Sequence, residues 1–223
     1  ERYAPYLIGS SSVISGSGMA VEYDLYNDYL NSDEIQEGQK KWKKMLQEDK
    51  ILQNFLIGKK ETISYAWDAV IYDEKVVSGD QVETQRSRWL FSYFQNLPNS
   101  LGILRRAITN FSWNQLIFGI VTISPPLFIL VGLAGLMAIL GLFIKPAMSI
   151  ALIAALAIFS LTVLWTIKLS DAPKEVWKAI WNLPGFILKQ FTALLKMGNP
   201  NKNFKHTEHT KKVSIDEVMS KKL

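Results

Sequence analysis

No charged residue occurs between Arg106 and Lys145, and none between Lys145 and Lys168. Roughly 20 residues cross the hydrocarbon core of a bilayer as a helix, so the first stretch is too long for one untilted span. Pro125-Pro126 interrupts it, because proline lacks an N–H and disfavours helix in the residue before it. The pattern predicts a first span over 126–144, a tight reversal at Lys145-Pro146, and a second span over 147–167. Together these make a transmembrane helical hairpin over 125–168, with Trp165 placed for an aromatic belt. Residues 101–124, with Phe111 and Trp113, read as an interfacial or obliquely inserted helix. The competing reading is a buried hairpin in a soluble protein, which charge-free stretches of this length disfavour.

Charge is distributed unevenly around these stretches. Residues 1–100 carry 11 Lys and Arg against 15 Asp and Glu, whereas residues 168–223 carry 11 Lys against 5 acids. A basic segment directly after an apolar one follows the positive-inside pattern, which predicts a cytoplasmic tail over 199–223. The lysines of residues 168–223 are dispersed among Trp, Phe and Leu, which argues against nucleic acid as a partner. Between span and tail, residues 169–198 place Trp177, Ile180, Trp181, Ile187, Phe191 and Leu194 near one helical face. That predicts an amphipathic interfacial helix, with a surface helix on a soluble domain as the alternative. A hairpin returns the chain to its starting side, so residues 1–100 and the tail share the cytoplasmic face. There is no cysteine, which excludes disulfides and thiolate metal sites. The opening Glu1-Arg2-Tyr3-Ala4-Pro5 has neither Met nor an apolar leader, and reads as an internal cut in a longer protein.

In the first hundred residues, Tyr6–Ile14 reads as a strand or an extended loop, and Thr62–Tyr65 and Ala69–Tyr72 read as short strands, by their Ser, Thr, Ile and Tyr content. Tyr23–Leu30 reads as a short helix, and Met45–Gly58 as an amphipathic helix with Gly58 at its C-terminus. The fold class expected is therefore α/β. Gly16 and Gly18, flanking Ser17, would let backbone approach a ligand closely, although a lone Gly-x-Gly is usually an ordinary turn.

Two clusters carry chemistry. Glu48 and Asp49 stand near the start of a helix, where carboxylates also serve simply as favourable charges at the macrodipole. Gln85-Arg86-Ser87-Arg88-Trp89 lies on a helix predicted over Asp80–Asn96. Gln85, Arg88 and Trp89 are three and four apart, and so share a face. An amide, a guanidinium and an indole suit a gripped diphosphate and a stacked sugar ring. An Arg-Trp anchor at the membrane surface is the plain alternative.

In this order, these elements resemble the C-terminal part of membrane-bound, inverting glycosyltransferases of the cellulose-synthase and hyaluronan-synthase type (glycosyltransferase family 2). The resemblance rests on Ser15–Ala20, Glu48-Asp49, Val70–Lys75, Gln85-x-x-Arg88-Trp89, the hairpin, and the Asn203–His209 ending found among bacterial members. It implies that residues 1–100 are the C-terminal half of a GT-A-type domain. It implies that Asp49, with Glu48 beside it in the family's Thr-Glu-Asp motif, is the catalytic base; Gln47 replaces the threonine. It further implies that Gln85 and Arg88 bind the nucleotide diphosphate, that Trp89 stacks on the acceptor sugar, and that Gly16, Ser17 and Gly18 lie by the acceptor terminus. The partners implied are a nucleotide-sugar donor, a glycan or lipid-linked acceptor, and the bilayer of a bacterial inner membrane.

Such enzymes hold a divalent cation, Mg or Mn, through an Asp-x-Asp motif. No two aspartates here are two apart, so the metal ligands are expected outside this fragment, in the full-length protein. The nucleotide-binding strands are missing as well, which predicts an inactive fragment with an exposed sheet edge. A non-catalytic membrane anchor or subunit of a polysaccharide-synthesis complex is the alternative. A transporter is disfavoured, because the spans contain no ionisable residue.

Overall fold

The computed structural model describes residues 2–16, 18–33, 35–36, 48–71, 79–195 and 197. They divide into two units, one of residues up to Ile123 together with Met197, and one within Ser124–Lys196. Among the described residues the regular elements are helices: α1 Tyr3–Leu7, α2 Tyr23–Leu30, α3 Glu48–Gly58, α4 Gly79–Thr109, α5 Trp113–Ile123, α6 Leu127–Ile144, α7 Pro146–Leu169, α8 Lys174–Ile180 and α9 Leu183–Leu195.

The α/β expectation is overturned: no strand or sheet occurs among the described residues. Tyr3–Leu7 is helical, and 11–15 and 61–71 are irregular. A β-prone run becomes a strand by packing on a ladder, and none is offered here. Ser12 N donates to the Ile63 carbonyl oxygen at 2.8 Å. The reciprocal donor, Ile63 N, goes to the Ser11 hydroxyl at 2.9 Å instead. A serine side chain thus takes the bond that would extend the ladder. The GT-A-type half-domain and its exposed sheet edge are not found in these residues. Tyr72 falls outside them.

In the first unit, α3 is the central element. Leu52 and Leu56 enter a core with Ile14, Tyr29 and Ile35. One position round the helix, Ile57 enters a second core with Ile103 of α4 and Phe118 of α5. The helix ends in a Schellman motif: Glu61 N donates to Leu56 O at 3.0 Å and Lys60 N to Ile57 O at 3.1 Å. Gly58 is the last helical residue, as expected, and the left-handed residue that follows is Lys60, φ +69°. Gly58 serves close approach, since a Cβ there would lie 2.7 Å from the Arg106 guanidinium. Phe111, φ +49°, ends α4 with the same bonding, and Asp171, φ +46°, ends α7 so.

The helix expected to stop at Asn96 continues through Pro98 to Thr109. Pro98 removes one helical donor, but Ser100, Ile103 and Ala107 beyond it are buried, and that packing outweighs the local cost. The single element expected over 101–124 is therefore two, α4 and α5, broken at 110–112. Ser112 restarts the helix as an N-cap, its hydroxyl accepting from Gln115 N at 3.3 Å.

In the second unit, α6 and α7 are each long and apolar enough to cross a membrane. Lys145, held out of the helical region that a following proline disfavours, joins them, and Pro146 opens α7. Gly141 admits Ser149 to close contact, and the Ser149 hydroxyl donates to Ala138 O at 2.7 Å. The amphipathic segment expected over 169–198 is two helices, α8 and α9, rather than one. The Phe191 ring of α9 fills the notch left by Gly132 of α6 and meets Phe128 edge-on at 5.3 Å.

Candidate functional site

Gly16 and Asp49 come together. The chain turns at Gly16 with φ +75°, and a Cβ there would lie 3.7 Å from Asp49 Oδ2. Space would admit a side chain, but the left-handed backbone favours glycine. Gly18, φ +68°, is limited by both, since a Cβ would collide with the Ile71 side chain. Ser17 lies outside the described residues.

Asp49 sits in the first turn of α3 and is half-buried, while Glu48 is exposed. Asp49 Oδ1 accepts from Lys50 N at 2.8 Å, and Oδ2 faces the Gly16 turn. From beneath, Tyr29, 2% exposed, donates its hydroxyl to Glu48 O at 3.1 Å. Burial, then the charges of Tyr26, Glu48 and Asp49, push the Tyr29 hydroxyl up to about 12. Gln53, 1% exposed, accepts the Ile14 N–H at 3.2 Å. The Gly16 turn is thus laid on the N-terminal half of α3.

Gln85 and Arg88 are half-buried on α4, and Trp89 is 52% exposed. Arg86 rather than Arg88 covers the indole, its guanidinium 4.7 Å from the ring centroid, a cation–π contact. Burial pushes the Arg86 guanidinium below its usual range. The helical repeat carries Gln85, Trp89 and Ser92 onto the face of Asn96 and Ile103. That face meets α3: Asn54 Nδ2 donates to Asn96 Oδ1 at 2.9 Å, and Gly58 lies against Arg106. Both contacts advance along both helices, so α3 and α4 run in the same sense. At 1.5 Å per residue, Asp49 lies about 7 Å before the asparagine pair along α3, and Trp89 about 10 Å before it along α4. The register thus carries Asp49 and the Gln85–Trp89 segment toward the same end of the helix pair.

Tyr29, Gln53 and Ile71 escaped the sequence reading. Gln53 had a signal: it is an amide inside the apolar face of Leu52, Leu56 and Ile57, one turn after Asp49. Gln47, residues 72–75 and the Asn203–His209 ending lie outside the described residues. Among the described residues no three His, Cys, Asp or Glu side chains gather as a metal site. The chain matches no family model, no curated protein and no solved structure.

Proposed function

We propose that this chain is part of a membrane-bound, inverting sugar transferase that moves a sugar from a nucleotide-sugar donor to a polysaccharide or lipid-linked acceptor. The observation that carries the reading is the glycine turn laid on the Asp49 carboxylate. A base must stand in hydrogen-bond reach of the acceptor hydroxyl. A carboxylate beside backbone with no side chain leaves room for a sugar terminus. Asp49 takes the proton of the acceptor hydroxyl, and the freed oxygen attacks the anomeric carbon. The bond from that carbon to the diphosphate breaks, and its electron pair leaves with the phosphate oxygen. Arg88, with Gln85, steadies the departing diphosphate through charge-assisted hydrogen bonds. Trp89 supplies an apolar face for the acceptor ring.

The reading places α6 and α7 as a hairpin in the cytoplasmic membrane, with both ends cytoplasmic. Their apolar windows are only 11% and 6% buried. A soluble protein's core hairpin would have those faces covered. Such bare apolar surface needs lipid or a partner.

Asp49→Asn in the full-length protein tests the reaction. The amide keeps the shape but cannot take the proton. Transfer should fall on the order of 100- to 10,000-fold, while isothermal titration still detects nucleotide-sugar binding. Near-normal transfer would reduce Asp49 to a helix-terminal charge and remove the main support for a catalytic role of residues 1–100.

A further inference from the structure

We infer that Gln53 is a positioning residue for the transfer reaction, holding the Gly16 turn against Asp49; the inference rests on the reading of Asp49 as the base. Gln53 is 1% exposed on a face whose neighbours Leu52, Leu56 and Ile57 are apolar core. An amide there is costly unless it is hydrogen-bonded. Its Oε1 accepts the N–H of Ile14 at 3.2 Å. Ile14 is itself buried, and lies in irregular chain where no ladder would pair that donor.

The spacing explains why the bond matters at Gly16. Asp49 and Gln53 are four apart and lie one above the other on α3. That separation is one helical turn, about 5.4 Å along the axis. Ile14 and Gly16 are two apart, a separation that chain at full extension spans in about 6.6 Å. The two intervals match. With Ile14 fastened to Gln53, Gly16 arrives at Asp49, where a Cβ would stand 3.7 Å from Oδ2. Upstream, Ser10 is fastened to Asn114, and Ser11 and Ser12 to Ile63. The chain therefore approaches Gln53 already aligned. Because the turn adjoins the base, its position governs the acceptor rather than the donor.

The test is steady-state kinetics of the full-length protein in nanodiscs, with donor and acceptor varied separately. Gln53→Met keeps the volume and removes the acceptor oxygen. It should reduce kcat/KM for the acceptor on the order of 10- to 100-fold, the range seen for small displacements near a reacting centre, with the donor KM unchanged. An unchanged acceptor kcat/KM in Gln53→Met overturns the inference. So does an equal loss on both substrates, which marks a purely structural residue. If Gln53→Met does not accumulate, hydrogen exchange of the wild-type protein decides: the Ile14 amide should be protected to the level of the α3 amides, and unprotected exchange overturns the inference. Asp49→Asn is run alongside. A normal Gln53→Met with an inactive Asp49→Asn refutes the positioning role alone; an active Asp49→Asn refutes the reading beneath it.

Discussion

The Tyr29 hydroxyl donates to the main-chain oxygen of Glu48 across 3.1 Å, tying α2 to the first turn of α3 one residue before Asp49. Tyr29 also packs edge-on against Phe55 at 5.6 Å, and α2 is pinned again where Lys59 meets Asp28 at 2.6 Å. That last pair is exposed and contributes little; the tyrosine is the stronger tie.

Tyr29→Phe keeps the ring contacts and removes the hydrogen bond. It should destabilise the protein by about 1 kcal/mol, read as a lowered thermal midpoint in near-ultraviolet circular dichroism. An unchanged midpoint would mean that the hydroxyl contributes nothing.

The same hydroxyl predicts a dependence on pH. It titrates at about 12 in the folded chain, against about 10 for an unperturbed tyrosine. The folded state therefore keeps a proton that the unfolded state releases. The contribution is fully present below pH 10, and is lost as pH rises from about 10 to about 12. Unfolding measured across this window should show a decline in the wild type that is smaller in Tyr29→Phe. Parallel curves would contradict the assignment.

Gly16 and Gly18 should respond differently to alanine. Gly16→Ala meets left-handed strain alone, on the order of 1–2 kcal/mol. Gly18→Ala adds the collision with Ile71 and should cost more. Ile71→Ala should recover part of the Gly18→Ala loss and none of the Gly16→Ala loss. Thermal melts of the three single variants and the two doubles provide the check.

Arg88→Ala and Trp89→Ala should separate the two substrates. Loss of the guanidinium removes a charge-assisted contact and should weaken nucleotide-sugar binding by a factor of about 10 or more. Loss of the indole should leave that affinity within about twofold and reduce acceptor use, since stacking serves the sugar. Binding calorimetry and acceptor kinetics read the two effects. The reverse pattern would exchange the roles.

The hairpin can be mapped directly, because the chain has no cysteine of its own. Lys145→Cys should react with an impermeant thiol reagent from outside intact cells. Lys174→Cys should react only after the cells are opened. The opposite labelling would invert the topology.

The helices were the legible part of the sequence. Charge-free length alone placed α6 and α7 to within two residues, because apolar runs bounded by proline and lysine leave little choice. Tyr23–Leu30 was equally clear. The irregular segments misled for a physical reason. Thr62–Tyr65 has strand composition, but whether a run forms a strand depends on a partner that sequence does not display. Ser11 consumed the Ile63 donor, and no ladder followed. Asp49 was legible as a candidate; its company was not. Gly16 reaches it through Gln53 and Ile14, contacts separated by 39 positions along the chain, and nothing local records them.

Three helices stop on a left-handed residue other than glycine, at Lys60, Phe111 and Asp171. Their endings are therefore held by the hydrogen bonds rather than by the residue's own preference. A glycine would relieve roughly 1–2 kcal/mol of backbone strain, less the roughly 0.5–1 kcal/mol by which its freer unfolded chain opposes folding. Lys60 and Asp171 have no part in the proposed reaction. Lys60→Gly and Asp171→Gly are thus a practical route to a longer shelf life in detergent, with Asp49, Arg88 and Trp89 left unchanged.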